Sequence, residues 1–516
     1  MLARFKDAAM SAIAKRSVAE KMLADTQEES ARNNFISGLA SGPPKPEKFP
    51  YGRPYFLSLD KEEVQSAIDF GTRPIIIPRK VYDMPLVSGY AECLNGGKSS
   101  CNEDNSYACE MHIKPKSSQN GKTLTRSKTV MQPMQEIAKM APCIEAVYFG
   151  MFDGHAGYQT SLIVSRQLHS ILQDLLSECV DRLVAMRASA GKETLETEPI
   201  TLGFSRVTDD DLIVGALEEA FQLMDQRLKK DGEKFNVRGG CTAIVALFVN
   251  GKLYVANAGD SRAVLLHGTT VKQVSTDFTP EKEKQRIHLK GFTNPELLHN
   301  EFCSLEFQRR VAKSDIGSRM LCRVPGTTGW KFKTIDEDDT KFPLVIGHGK
   351  NARIMGTIGV SRGLGDHDLY IYESDISIKP FLSCVPEVKV IDLREEKYDQ
   401  TDVLIMATDG LWDVVTNARA AEIVRNELQK SKELHENGQN GPQKIKDLEK
   451  TKYIIAAQRL VMEARGTFTG QGWKKSSGEN ASFDDISTFV IPLKKYQDIW
   501  RNKCAFENSI EAALRS

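Results

Sequence analysis

An α+β fold is what this sequence predicts, on three observations. Short apolar runs with strand character recur from about residue 82 to residue 493. Asn250–Gly251 joins "AIVALFV" to "KLYVANAG", the strongest short-range signal for a hairpin. Stretches with helical period are fewer, chiefly residues 158–176 and 417–428.

Taken in order, residues 1–50 read as an extension. "MLARFKDAAMSAIAKR" sets Leu2, Phe5, Ala9 and Ile13 on one helical face, with Arg4, Lys6 and Lys15 largely elsewhere. That face suits a surface helix packed on the domain or a helix lying in a membrane interface. Residues 37–54 are Gly/Pro-rich and read as a linker. Residues 51–494 hold the strands and helices, and the helix at 417–428 is expected to open with Asn417 as its cap. Three polar segments, 114–139, 188–210 and 430–450, read as solvated surface loops. Residues 495–516 form a helical tail of mixed charge.

The bulk numbers exclude several classes of function. In 516 residues Lys+Arg and Asp+Glu both count 69, so no basic field draws in nucleic acid. The longest apolar runs are far too short to span a bilayer. Arg4, Lys6 and Asp7 interrupt any signal-peptide core. Ten cysteines are scattered without a CxxC, which fits reduced thiols in the cytosol and neither a zinc site nor a disulfide scaffold. A soluble cytoplasmic protein is the expectation.

Acids recur at the ends of the apolar runs. "VYFGMF" stops at Asp153–Gly154–His155, and Glu103–Asp104 open another strand. "KLYVANA" stops at Gly259–Asp260, and "VLIMA" stops shortly before Asp409–Gly410, with Asp413 four residues on. Asp484–Asp485 precede "ISTFVIPL". Each alone is ordinary turn chemistry. Together, acids at the ends of buried strands crowd negative charge and raise one another's pKa unless cations neutralise them. Oxygen ligands without Cys or His clusters suit hard Mg²⁺ or Mn²⁺. Two such ions about 4 Å apart can hold and deprotonate a water for in-line attack on phosphorus. The leaving alkoxide then needs a proton, and His155 beside Asp153 is a suitable donor. A lone His is more often structural; among these acids the donor role is the better reading.

In order, the blocks "NED", "FDGHAG", "GGCTA", "VANAGDSR", "GVSRGLGD", "TDGLWD" and "DDIS" resemble the metal-dependent PPM (type 2C) protein serine/threonine phosphatases. The likeness covers about residues 89–493. "FPYGRPYFL", "TGWKFKTI", "ARIMGTIGVSRGLGDHDL" and a long segment before the last of these place it nearest the branch of protein phosphatases 1H, 1J and 1M. The resemblance implies a four-layer α-β-β-α sandwich of two antiparallel sheets flanked by helices, with an enlarged flap at residues 280–351. It implies that Asp153 bridges two metals and that the Gly154 carbonyl binds one of them. Asp409 and Asp484 would complete the first metal's ligands, and Glu103 and Asp104 would hold metal-bound waters. Asp260 and Asp413, with Asp409, would form a weaker third metal site, and His155 would be the general acid.

This sequence departs from the family pattern at three places. Ser99 stands where the phosphate-binding Arg is expected; Lys98 beside it offers a point cation without Arg's fork, or is simply solvated. Ala156 replaces a usual glycine, which reads as a conservative change. Asp485 stands where Asn is usual and adds negative charge near the metals. The flap reads as a packed subdomain that also docks substrate, since a general phospho-Ser/Thr site needs specificity from elsewhere. Branch resemblance implies phosphoprotein substrates of the Rab-type small GTPase class. Two rival readings are a pseudophosphatase acting as a regulatory binding module, and a hydrolase of small phosphorylated metabolites. Retention of Asp153, Asp409 and Asp484 speaks against the first, and the long flap against the second.

Overall fold

The computed structural model describes residues 45–80, 83–116, 143–189, 201–202, 205–371, 374–436, 442–470 and 472–515. The predicted N-terminal helix, residues 37–44 and most of the 114–139 segment lie outside them. The fold belongs to residues 47–516, one unit of the chain.

The strands that build its two main sheets and the site are, in chain order, β1 (Ile75–Ile76), β2 (Gly89–Cys93), β3 (Asn105–Ile113), β4 (Ile144–Phe152), β5 (Gly154–His155), β6 (Gly240–Cys241), β7 (Ala243–Val249) and β8 (Lys252–Ala258). After them come β9 (Arg262–His267), β10 (Thr270–Gln273), β11 (Leu364–Gly365), β12 (Glu387–Asp392), β13 (Val403–Ala407) and β14 (Ile486–Pro492). One sheet runs β1-β2-β14-β13-β9-β10 and the other β12-β8-β7-β4-β3, and every pairing within them is antiparallel.

The strands that carry the fold are buried on both faces, and β4 shows how. Ile144, Ala146, Tyr148 and Phe152 pack outward with Ile163, Val164 and Leu168 of α1 (Gln159–Ser189) and Leu217 and Phe221 of α2 (Asp209–Lys234). Phe149 and Met151 point the other way, into a core shared with Tyr90, Met406 and Phe489 of the facing sheet. Gly150 is glycine because a Cβ there would stand 2.6 Å from the Tyr148 hydroxyl and 2.8 Å from the Phe152 ring. Behind the second sheet, Ala407, Val264 and Val490 meet Val424 of α5 (Asn417–Glu436) and Leu460 of α6 (Pro442–Arg465). The result is the four-layer α-β-β-α sandwich. Asn250 and Gly251, at φ 50° and 75°, turn the predicted hairpin with Val249 opposite Lys252.

Several expectations are corrected. Residues 430–450 are not one loop: α5 continues to Glu436 and α6 starts at Pro442, since Lys, Glu and Gln are good helix formers. Likewise α1 runs on to Ser189, well past residue 176. The cap of α5 is Thr416, whose Oγ1 accepts the Arg419 N–H at 3.2 Å, while Asn417 accepts from Arg262 instead. The end of the supposed linker is docked, with Arg53 buried and Phe49 packed against the outer core. Within the flap, α3 (Lys284–Thr293) has its own core of Ile287, Leu298, Leu344, Ile354 and Phe381, so the packed subdomain extends past residue 351. All ten cysteines are free, and among the described residues no helix is long and apolar enough to cross a membrane.

Candidate active site

Strand register gathers the acids at one end of the two sheets. Asn105, just after Glu103–Asp104, pairs with Phe152, just before Asp153. Ala258, preceding Gly259–Asp260, pairs with Ala243, and Ile244 pairs with Met151. On the facing sheet Ala407, two residues before Asp409, pairs with both Arg262 and Thr488, which brings Asp484–Asp485 to the same end. Asp409 itself opens a short helix, α4 (Asp409–Trp412), with Asp413 at its far end.

The crowding has the expected electrostatic result. Burial, then Asp409, Asp104, Asp484 and Asp260, push the Asp153 carboxyl well above the usual range. Burial together with Asp260, Asp484 and Asp413 does the same to Asp409, and burial with Asp485 to Asp104. Mainly through burial, Asp260 is raised to about 6 and Glu103 to about 7. Buried Asp104 accepts the Thr408 hydroxyl on Oδ2 at 3.0 Å, while its Oδ1 has no partner. An all-oxygen donor set, excess negative charge and an orphaned carboxylate oxygen fit a hard divalent cation in kind. As the side chains lie, no group of three His, Cys, Asp or Glu among the described residues is close enough to hold a metal. Two lysines lie on the acids instead: Lys98 Nζ donates to Asp484 at 2.5 Å, and Lys350 of the flap donates to Asp413. Lys98 is thus beside the cluster, largely exposed. Desolvation works against its charge, but Asp484 outweighs that and raises its pKa.

Local backbone explains the "DGHAG" run. A Cβ on Gly154 would come within 2.3 Å of the Glu103 carbonyl oxygen, so only glycine lets β5 approach that loop. Ala156 sits at φ 57°, in the left-handed region. Its change from glycine is therefore a strained one, not the conservative one expected. Asp485, expected to add charge near the metals, uses its carboxylate to accept the backbone N–H groups of Asn95 (2.7 Å) and Glu103 (2.9 Å), tying the 95–103 loop to β14. Ser99, at the family's arginine position, donates to the Cys101 carbonyl at 2.6 Å inside that loop.

Three neighbours of the candidate site residues escape a reading of the sequence. His155 Nε2 lies 2.9 Å from both carboxylate oxygens of Asp366, in the "GLGD" block. Burial would lower the His155 pKa, but Asp366 outweighs it and the net shift is upward. Arg53 makes two 2.7 Å bonds to Glu92 and donates to the carbonyls of Asn102 (3.2 Å) and Asp104 (2.6 Å), holding the Glu103–Asp104 loop from behind. Arg73, fully buried, donates to the carbonyls of Leu94 (2.8 Å), Ser482 (2.7 Å) and Asp484 (3.2 Å), and so holds the other acidic loop. The order of blocks is the signal for Asp366; neither arginine stands beside an acid in sequence.

The chain is similar in sequence to known proteins. The sequence pattern of the family described as protein phosphatase 2C matches residues 115–294 and 343–452. Human protein phosphatase 1H is 38% identical over 519 residues, covering 91% of this chain and 98% of that one. Mouse protein phosphatase 1J is 39% identical over 458 residues, covering 86% of each. A solved serine-threonine phosphatase 2C from Toxoplasma gondii is a loose likeness, with a TM-score of 0.39 at 16% identity over 82% of this chain and 99% of that one.

Proposed function

The chain belongs to the protein phosphatase 2C family, in the branch that holds protein phosphatases 1H and 1J, and from that premise we propose that it hydrolyses phosphoserine and phosphothreonine in proteins with bound Mg²⁺ or Mn²⁺. The observation that carries this reading is the convergence of Asp153, Asp409 and Asp484 at one end of two facing sheets, with His155 two residues from Asp153. Asp153, the Gly154 carbonyl, Asp409 and Asp484 would hold two ions; Asp260, Asp413 and Asp409 would hold a weaker third. Glu103 and Asp104 would order the water around them. Such ions, when bound, acidify water and neutralise phosphate charge.

The chain's own residues do the rest. His155 gives its proton to the departing Ser or Thr oxygen, which leaves poorly as an alkoxide. Lys98, with its ammonium at the cluster's edge, attracts the phosphate as a point charge. Thr408 and Arg53 keep the Asp104 segment in place from the two sides that solvent does not reach. Branch likeness supports phosphorylated small GTPases of the Rab type as substrates. Cytoplasmic residence, with the N-terminal helix touching cytosolic membrane faces, belongs to the same proposal; liposome binding with and without residues 1–40 tests it.

Assay of the purified chain on phosphoserine and phosphothreonine peptides, with and without Mn²⁺ and beside Asp153→Ala and Asp409→Ala, tests the central claim. Metal-dependent turnover lost in both variants supports it; turnover no higher than the variants' removes it. The rival reading, a weak, regulatory pseudophosphatase, would keep the Lys98–Asp484 and Lys350–Asp413 pairs and show no metal-dependent turnover. The same assay separates the two.

A further inference from the structure

We propose that Asp366 is a positioning residue for His155, fixing Nε2 so that Nδ1 is the nitrogen that delivers the proton, and that residue 240 is glycine because the two side chains meet above it. The inference rests on the reading of His155 as general acid. It goes beyond that reading by naming the partner, the tautomer and the backbone that builds the couple.

The observations come from a small three-stranded sheet set against the acidic cluster. β6 lies in its middle, with β5 on one side and β11 on the other. His155 and Gly365 are both paired with Gly240, so the three residues form one row. Asp366 follows immediately, its N–H bonded to the Gly239 carbonyl at 2.8 Å and its φ at 56°. That left-handed turn brings its carboxylate back over β6. A Cβ on Gly240 would stand 2.1 Å from Asp366 Oδ2 and 2.8 Å from His155 Nε2. The meeting place of the two side chains is therefore the space that glycine leaves open.

The turn is clamped from behind. Asp225 of α2, itself buried, accepts the Gly365 N–H at 2.9 Å and the Lys379 ammonium at 2.8 Å, and lies 3.3 Å from His367 Nε2. Residues on both sides of Asp366 are thus tied to one carboxylate, which keeps a non-glycine residue in a sparsely populated conformation. Asp366 is 2% exposed and His155 is 31% exposed. One nitrogen of the ring faces a buried carboxylate, while the side chain as a whole keeps part of its surface exposed. A carboxylate accepts only, so Nε2 carries the hydrogen in this pair, and the proton that can leave toward substrate sits on Nδ1. No charge or atom is gained in the step: the Nδ1–H bond breaks as the bond from hydrogen to the leaving oxygen forms.

Asp366→Asn is the informative variant, because asparagine also tolerates the left-handed region and the turn survives. In the full-length Mn²⁺-loaded enzyme the variant should lower kcat on a phosphoserine peptide about tenfold or more, with KM little changed. On p-nitrophenyl phosphate, whose leaving group needs no proton, the loss should be under about threefold, and in a His155→Ala background the variant should add nothing. Equal losses on the two substrates, or a further loss in that background, overturn the proposal. A wild type inactive on both substrates would instead sink the phosphatase reading itself. Independently of turnover, ¹⁵N spectra of histidine-labelled metal-free protein should show His155 with hydrogen on Nε2 and a change in its nitrogen shifts in Asp366→Asn. A neutral His155 carrying its hydrogen on Nδ1 alone overturns the proposal. Gly240→Ala, which leaves both side chains present but closes their meeting place, should reproduce the substrate-selective loss.

Discussion

Arg53→Leu removes the guanidinium that holds the Asn102–Asp104 loop, and its cost can be worked from the contacts. The Arg53 and Glu92 side chains are each 2% exposed and joined by two bonds of 2.7 Å. Deleting one partner of such a buried pair strands the other charge and costs roughly 3–5 kcal/mol. The carbonyls of Asn102 and Asp104 lose a donor as well, each worth about 1 kcal/mol, although these terms do not simply add. A loss of about 4 kcal/mol is expected, with Tm falling by roughly 4–8 °C given about 2 °C per kcal/mol or less in a chain of this length. Calorimetry or dye-based melting of metal-free protein measures it. Arg53→Leu combined with Glu92→Leu should recover at least half of the loss, because no stranded carboxylate remains. Since Arg53 also fixes the backbone of Asp104, the single variant should weaken Mn²⁺ binding about tenfold by titration calorimetry. A single variant within about 1 °C of wild type, or a double variant no better than the single, refutes the argument that this pair is a buried structural clamp.

Metal-free protein should melt at higher temperature at pH 5.5 than at pH 7.5. Glu103 at about 7 and Asp260 at about 6 keep protons in the folded state that the unfolded chain releases near pH 4, so stability falls as pH rises through that window. The raised pKa of His155 acts in the same direction, and Mn²⁺ should flatten the trend; a metal-free melting temperature that rises with pH contradicts the crowding. Ala156→Gly relieves a φ of 57°, worth about 1–2 kcal/mol, against about 0.4–1 kcal/mol of extra chain entropy, so stability should rise slightly or stay level. A loss above about 1 kcal/mol would count against the left-handed assignment. Glu283→Ala strips the acid shared by Arg286 (2.8 Å) and Arg362 (2.8 Å) where α3 meets the "SRG" turn. Hydrogen exchange should quicken in residues 284–354 before it does in β4 or β13; uniform quickening would show a global effect instead. Lys350→Ala frees Asp413 of an exposed ion pair worth at most about 1 kcal/mol, so the weakest Mn²⁺ site should tighten by no more than about fivefold, and weaker binding would mean that Lys350 does not compete there.

What could be read in the sequence was what a local period or a local stop signal encodes. Double-faced burial makes β4, β7, β8 and β13 largely apolar runs, and the carboxylate that follows β4, β8 and β13 is visible without knowing the fold. Asn250–Gly251 carries its own turn geometry, so that hairpin was visible too. Arg53 and Arg73 were not, because an arginine just before a proline reads as surface, and only tertiary pairing with Glu92 or with distant carbonyls makes its burial tolerable. The couple of His155 with Asp366 spans 211 residues and depends on β6 lying between them, which no periodicity in either segment encodes. The polar end of α5 failed for the opposite reason, since a helix running past the core loses the apolar stripe by which a helix is recognised.

Several places where local rules are broken lie together around the acidic cluster, and their clustering is itself an argument about where the function is. Ala156 and Asp366 hold left-handed conformations that neither side chain prefers. Gly154 and Gly240 are required by approach distances of 2.3 and 2.1 Å, not by their own φ. Carboxylates are crowded until several hold protons near neutrality, and one buried oxygen of Asp104 goes without a partner. Any one of these would be an ordinary imperfection. Selection for stability alone would remove them together, since Asn or Ser at the acids and Gly at 156 would relieve most of the cost without touching either hydrophobic core. They persist together because the free energy they store is offset by what they assemble: a row of oxygens with unspent charge, and beside it an imidazole held by one nitrogen.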